Sequence, residues 1–189
     1  FRPTSGNIFI NGIDNVKNPL SSKALIGYIP DQPFLYDKLT GREFLYFSGG
    51  LYKLKNDYLQ NKIDEVISRL QIDNWIDKKT EEYSQGMKQR VTIASSLIHN
   101  PKLIVIDEPM VGLDPKSAVI VKELLREEVK NGTAVFMSTH SLSFAEELCT
   151  HVGIIKDGNL IFEAKKESLQ QFMKDNKADF EKLFLQITK

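Results

Sequence analysis

Two consecutive carboxylates, Asp107 and Glu108, are the residues of this sequence best suited to chemistry. They follow four apolar residues, 103–106, which predict a short buried strand. Such a strand places the acids at the carboxyl edge of a sheet, where open α/β folds bind ligands. In a nucleotide hydrolase the first acid can hold hydrated Mg²⁺, and the second can orient or deprotonate the attacking water. Taken alone, the same residues are also compatible with a solvated acidic turn.

Three further motifs lie in order around the acids, at residues 83–90, 112–115 and 138–140. In the first, Ser84 can cap the helix that follows, and Gly86 lets backbone come close to a ligand. A helix start of this kind offers free amides and the positive end of the helix dipole to a phosphate. If residues 83–90 stood alone, they would indicate an ordinary serine-capped helix.

Together these motifs resemble the signature motif, the D-loop and the switch histidine of ABC ATPases, in that family's order. The resemblance spans nearly the whole chain. It implies an α/β fold, namely a P-loop NTPase (RecA-like) core of the ABC ATPase type with an inserted helical subdomain. It also implies ATP and Mg²⁺ as cofactors and ATP hydrolysis as the activity.

The resemblance assigns roles to individual residues. Asp107 is expected to hold Mg²⁺, and Glu108 and His140 are expected to be catalytic. A neutral imidazole at position 140 can hydrogen-bond the γ-phosphate and sense its loss. The residues expected to contact ATP are Ser84, Gln85, Gly86, Gln32 and Asp114. In the family, the phosphate at the signature motif belongs to ATP held by the other subunit, which implies a head-to-tail dimer with Asp114 at its interface.

The expected function is that of an ATP-binding subunit that powers a separate membrane permease. Tyr83, Gln85 and Met87 depart from the common Leu-Ser-Gly-Gly-Gln form of the signature motif, as in exporter-type cassettes. Residues 179–185 are similar to the ends of ATPases that serve ABC-2-type exporters. Both features favour an exporter.

The position of the family's Q-loop glutamine is open between two residues. That glutamine lies at the end of the strand before the helical subdomain, where it touches Mg²⁺ or water. Here the strand over 26–29 is followed by Pro30, Asp31 and Gln32. Gln32 is favoured by its residue type, whereas Asp31 takes the position directly after the proline and is the alternative.

The phosphate-binding P-loop of the family has no counterpart in this sequence. No Gly-x-x-x-x-Gly-Lys motif occurs, and residues 1–6 resemble the segment that ordinarily follows the P-loop helix. We therefore expect the first P-loop strand and helix to be missing, through truncation or through degeneration of the cassette. The start on Phe1 rather than methionine favours truncation. Without the P-loop, hydrolysis by this chain alone is expected to be negligible.

Two other functions are compatible with the motifs. One is a soluble ABC ATPase of translation or DNA repair, although residues 33–83 are too short for long coiled coils and lack sustained heptads. The other is a non-catalytic ABC-like module that keeps the signature surface and docks on a partner cassette.

The elements that must position these residues follow from hydrophobic spacing. Strands are predicted over 7–12, where Asn11 and Gly12 give a turn, and over 26–29, 103–106, 134–137 and 152–155. A hairpin turn over 156–159 leads into 160–162. The last three strands alternate with helices that begin after Pro115 and Ser141, which predicts a parallel sheet covered on both faces. Asn131 and Gly132 are expected to end the first of these helices.

Residues 40–90 are predicted to be helical. Thr40 and Glu43 form a capping box at a helix start. An amphipathic helix follows, with apolar residues at helical spacing: Leu59, Ile63, Val66, Ile67 and Leu70. A second amphipathic stretch from Lys165 carries Leu169, Phe172, Phe180, Leu183 and Phe184.

The chain is accordingly expected to be one partial ABC ATPase domain, 1–189. Its parts are a β-rich and Q-loop part, 1–32, a helical subdomain with the signature helix, 33–99, an α/β core, 100–164, and a helical tail, 165–189.

Composition sets the expected partners and location. The 25 basic residues balance 25 acidic ones, so no net charge draws the protein to nucleic acid or to an anionic membrane. The single cysteine, Cys149, excludes a disulfide framework. No apolar run reaches the length of a membrane span. The protein is expected to be cytoplasmic, held at the inner face of the cell membrane by a permease, with a second ABC ATPase subunit as its other partner.

Overall fold

The chain opens with a short β-hairpin. Its strands are β1 (Phe9–Ile10) and β2 (Ile13–Asp14), joined by Asn11 and Gly12, whose φ angles of 48° and 79° suit a tight hairpin turn. The turn predicted at Asn11 and Gly12 is confirmed, and the strand before it covers only Phe9 and Ile10 of the predicted stretch. A five-residue helix that the sequence analysis did not predict, α1 (Pro19–Lys23), follows.

The computed structural model describes residues 2–176 and 179–188. The chain divides into an N-terminal unit, Phe1–Ser138, and a C-terminal unit, Thr139–Lys189. This boundary falls inside the part 100–164. The division into four parts follows motifs rather than compactness, and it stays a prediction.

The helical part of the N-terminal unit agrees with its prediction. After β3 (Ile26–Ile29) come α2 (Gly41–Leu51), α3 (Asn56–Arg69), a 3₁₀ turn (Thr80–Glu82) and α4 (Gln85–Leu97). The capping box is confirmed, since the Glu43 amide donates to Thr40 Oγ1 at 3.1 Å and the Thr40 amide donates to Glu43 Oε2 at 2.8 Å. The predicted apolar stripe of α3 is buried.

A parallel sheet of three strands carries the paired acids. It has the order β3, β4 (Leu103–Asp107), β5 (Ala134–Ser138), and α5 (Pro115–Lys130) connects β4 to β5. The helix ends at Asn131, and Gly132 adopts φ 89°, as expected. Ile29 pairs with Ile106, and both are buried.

One face of this sheet is less covered than predicted. The face with Ile29, Ile104 and Ile106 is part of the main hydrophobic core. The opposite face is open, with Tyr28 59% and Phe136 67% exposed. The structure therefore confirms that one face of the sheet is covered, whereas the other face, which was also predicted to be covered, is exposed.

The C-terminal unit contains α6 (Leu142–Leu148), a hairpin of β6 (His151–Lys156) and β7 (Asn159–Lys165), α7 (Lys166–Asn176) and α8 (Phe180–Ile187). The prediction that residues 152–155 extend the parallel sheet is wrong. Within the part of the chain that the structure describes, strand β6 pairs with β7 alone, antiparallel, in a sheet of two strands. The predicted turn itself is confirmed, with Asp157 and Gly158 at φ 50° and 77° between the two strands.

A small core of its own holds the C-terminal unit together. Leu169, Phe180 and Leu183 are buried in it, and Phe184 packs against it, as the amphipathic pattern predicts. Phe172 was expected on the same stripe but is 45% exposed. Among the helices that the structure describes, none combines the length and apolar character needed to cross a membrane.

Candidate functional site

The paired acids lie where the sequence predicts them, at the carboxyl end of β4. Asp107 pairs with Ser138 of the neighbouring strand, and its Oδ1 accepts a hydrogen bond from Ser138 Oγ at 2.5 Å. Glu108 leaves the strand with φ 48°, and its amide donates to the Ser138 carbonyl at 3.1 Å. A left-handed non-glycine residue costs about 1–3 kcal/mol and persists only where the surrounding structure holds it in place.

An open cleft of about 550 Å³ lies beside Glu108. Its lining consists of Asp31, Gln32, Pro33, Gln85, Glu108 and Val111. The structure therefore brings together one predicted catalytic acid, the first residue of α4 and the residues after β3. Both Q-loop candidates line the cleft, one as a neutral amide and the other as a carboxylate.

The start of α4 is fixed against the loop that follows Glu108. Ser84 is the N-cap, and its hydroxyl accepts a hydrogen bond from the Met87 amide at 3.3 Å. Gly86 is buried, and a Cβ added to it would lie 2.7 Å from the Gly112 carbonyl oxygen. Gln85 packs against Gly112. Ser84 and Gln85 themselves remain exposed, so the helix start stays accessible to a phosphate.

Tyr83 has a structural role that the sequence analysis did not predict. It is only 6% exposed, and its hydroxyl donates to the Ile76 carbonyl at 3.0 Å and accepts from the Gly41 amide at 3.2 Å. Burial raises the pKa of this phenol to about 12. Because tyrosine, unlike the leucine of the common motif, has a hydroxyl group, position 83 is hydrogen-bonded to the start of α2.

Asp114 caps α5 in the way its position suggests. Its carboxylate accepts hydrogen bonds from the Ser117 amide at 3.0 Å and the Ser117 hydroxyl at 2.7 Å. These bonds, with a smaller contribution from Arg90, lower the pKa of Asp114. This cap is a finding of the structure, while a place at a dimer interface stays a prediction.

The histidines differ in their surroundings. His140 is exposed and lies in the C-terminal unit, two residues after Ser138, so its role toward a phosphate stays a prediction. His99 is stacked on Tyr52 at a ring distance of 3.7 Å, and its Nε2 donates to the Ile26 carbonyl at 3.0 Å. Burial lowers the pKa of His99, which keeps it neutral, in agreement with a structural role.

The acid edge suits a magnesium ion that is shared with a nucleotide. Within residues 2–176 and 179–188, no group of three metal-ligating side chains could hold an ion by itself. Mg²⁺ usually takes one or two carboxylates and completes its shell with water and substrate phosphates. Asp107, with the amide oxygen of Gln32 as a candidate second ligand, fits that mode of binding.

Alanine substitutions at Gly86 and Gly50 are expected to change the stability of the fold in opposite directions. Gly86→Ala forces its new Cβ against the Gly112 carbonyl and is expected to destabilise the fold by about 1–3 kcal/mol. Gly50→Ala, in the exposed part of α2, meets no atom within 4 Å and is expected to stabilise it by up to about 1 kcal/mol. Chemical denaturation of both variants measures the difference, and equal effects would rule out the proposed packing of Gly86.

Comparisons with known proteins agree with these features. The sequence model of the family described as ABC transporter matches residues 1–111. An uncharacterised ABC transporter ATP-binding protein of Bacillus subtilis, YxlF, is 37% identical over 92% of this chain, which spans 57% of that relative. The structure of an ATP-binding subunit of an ABC transporter is 28% identical with a TM-score of 0.89, covering 99% of this chain and 78% of the other. An ATP-binding cassette solved as a dimer with ADP and Pi shares the fold, at 24% identity and a TM-score of 0.77, over 88% and 75% of the two chains.

Proposed function

Because this chain belongs to the ABC transporter family and has the fold of its P-loop NTPase nucleotide-binding domains, we propose that the complete gene product hydrolyses ATP to power a membrane permease. The observation that carries the proposal is the position of Glu108. It follows the strand-end carboxylate of Asp107 directly and lines the cleft together with Gln32 and Gln85. The start of α4, the loop after Glu108 and the Q-loop candidates thus lie close together in the N-terminal unit.

In this proposal each residue has a distinct task. Glu108 orients the attacking water and accepts its proton, while His140 donates a hydrogen bond to the γ-phosphate. Asp107 and Gln32 hold Mg²⁺, which supplies positive charge to the phosphates when it is bound. The hydrogen bond from Ser138 fixes the orientation of the Asp107 carboxylate.

The exposed start of α4 supports a head-to-tail dimer. Ser84, Gln85 and Gly86 surround free amides that can bind the γ-phosphate of ATP held by a second subunit. Asp114, at the exposed start of α5, is the further contact proposed for that interface. Each active site would then need one face from each of the two chains.

Formation of this dimer is the experiment that tests the proposal. With Mg-ATP, the Glu108→Gln variant of the complete gene product is expected to change from monomer to dimer in size-exclusion chromatography with light scattering. Ser84→Glu places a carboxylate against the phosphate and is expected to prevent dimerisation. Ser68→Glu, a matched change on the exposed side of α3, is expected to have no effect. Dimers that form equally with Ser84→Glu would contradict the role of α4.

A protein partner is supported by an exposed aromatic cluster directly after Gln32. Phe34 packs edge-on against Tyr36 at 5.5 Å, and Tyr36 against Phe47 at 5.3 Å. All three rings are exposed, Phe34 by 72%. Exposed apolar patches of this kind mark interaction sites. We propose that this cluster contacts the permease at the cytoplasmic face of the membrane.

We also propose that the direction of transport is export, because residues 179–185 are similar to the ends of ATPases that serve ABC-2-type exporters.

A further inference from the structure

Gln89 is the most unusual polar side chain of the N-terminal unit. It is fully buried, with 0% exposure, and neither its Nε2 nor its Oε1 has a hydrogen-bond partner. A buried primary amide without partners destabilises the arrangement that contains it. Most buried side-chain polar groups are hydrogen-bonded, so a buried amide without partners calls for a physical explanation.

Contacts at both ends of α4 locate this amide. Gly86 lies against the carbonyl of Gly112 in the loop after β4, and the Ser96 carbonyl lies against Gly27 of β3. Gln89 is on the same helix face, three residues after Gly86. It therefore lies in the buried part of α4, about one helical turn from the contact between Gly86 and the Gly112 carbonyl.

The loop from Glu108 to Gly112 begins and ends with a residue in the left-handed conformation. Glu108 and Gly112 bound it and have φ angles of 48° and 75°. Release of Glu108 from its left-handed conformation would rotate the adjoining peptide groups. Peptide carbonyl and amide groups are the acceptors and donors that a glutamine side chain can pair with at the same time.

We propose that Gln89 is a positioning residue for hydrolysis. Its amide is unpaired in the arrangement described here, and it hydrogen-bonds the backbone of the Glu108–Gly112 loop in a second arrangement that holds Glu108 against the attacking water. This inference rests on the proposed function and extends it, because it links the phosphate-binding helix α4 to the catalytic acid of the same chain. Gln89 itself touches no reacting atom.

Substitutions that remove the amide of Gln89 are expected to raise the stability of the fold and to lower the rate of ATP hydrolysis. Gln89→Leu removes the unpaired amide and is expected to raise the melting temperature of the 189-residue chain by about 2–4 °C. In the complete gene product, the same variant is expected to lower kcat about tenfold with KM unchanged. Gln89→Met, of similar volume, is expected to do the same.

Thr92→Val is the matched control, because Thr92 is a buried polar residue of α4 whose hydroxyl already donates to the Lys88 carbonyl at 3.0 Å. It is expected to leave kcat unchanged and not to raise the melting temperature.

Two outcomes would overturn the proposal. If both Gln89 variants melt lower than the wild type or fail to fold, the amide is already paired. If they melt higher with kcat unchanged, its role is structural only. Absence of ATP hydrolysis by the wild-type gene product is a separate result, which refutes the proposed function and is measured first.

Discussion

Glu108→Gln in the complete gene product is expected to lower ATP hydrolysis about 100-fold or more, while ATP binding is retained. The substitution keeps the size of the side chain and removes its capacity to accept a proton. Glu108 lines the cleft directly, so the loss acts on the attacking water. Binding should persist because Asp107, its hydrogen bond from Ser138 and the start of α4 are unchanged.

Phosphate release at saturating Mg-ATP measures the loss, and calorimetric titration measures binding. Glu123→Gln, an exposed acid on α5, is the matched control and is expected to keep full activity. Normal turnover by the Glu108→Gln variant would remove Glu108 from its catalytic role. Loss of binding together with turnover would instead indicate a structural role for this acid.

Much of this site could be predicted because the position of each residue follows from the strand or helix that it ends or begins. Asp107 and Glu108 follow an apolar run, and a parallel strand of that kind has one possible edge for ligands. Ser84 and Asp114 precede helices, so their capping roles were local properties of the sequence. The structure confirms the predicted cap at Ser84, shows a further cap at Asp114, and places Glu108 in a cleft with both Q-loop candidates.

The features that sequence could not predict depend on distant partners. Tyr83 bonds Gly41, which is 42 positions away, and no spacing rule connects the two residues. The lack of partners for Gln89 is a property of packing, visible only once α4 lies against the sheet. Strand β6 was assigned to the wrong sheet because an apolar run shows that a strand is buried but does not identify the strands beside it.

The 189-residue chain alone is expected to bind Mg-ATP weakly and to hydrolyse it negligibly. The six residues that line the cleft include two carboxylates, Asp31 and Glu108, and no basic side chain. A polyanionic nucleotide placed there meets repulsion that the amides at the start of α4 offset only in part. The P-loop lysine that neutralises phosphates in this family has no counterpart in the sequence.

Calorimetric titration of the chain with Mg-ATP tests this expectation, with the complete gene product as the positive control. Micromolar affinity in the chain alone would contradict it. The open sheet face at Tyr28 and Phe136 gives a second measurement, because parallel sheets are normally covered on both faces. Residues outside these 189 could cover that face and also supply the cation. In that case the complete gene product is expected to bind Mg-ATP more tightly than the 189-residue chain, and its β5 backbone amides are expected to exchange hydrogen more slowly.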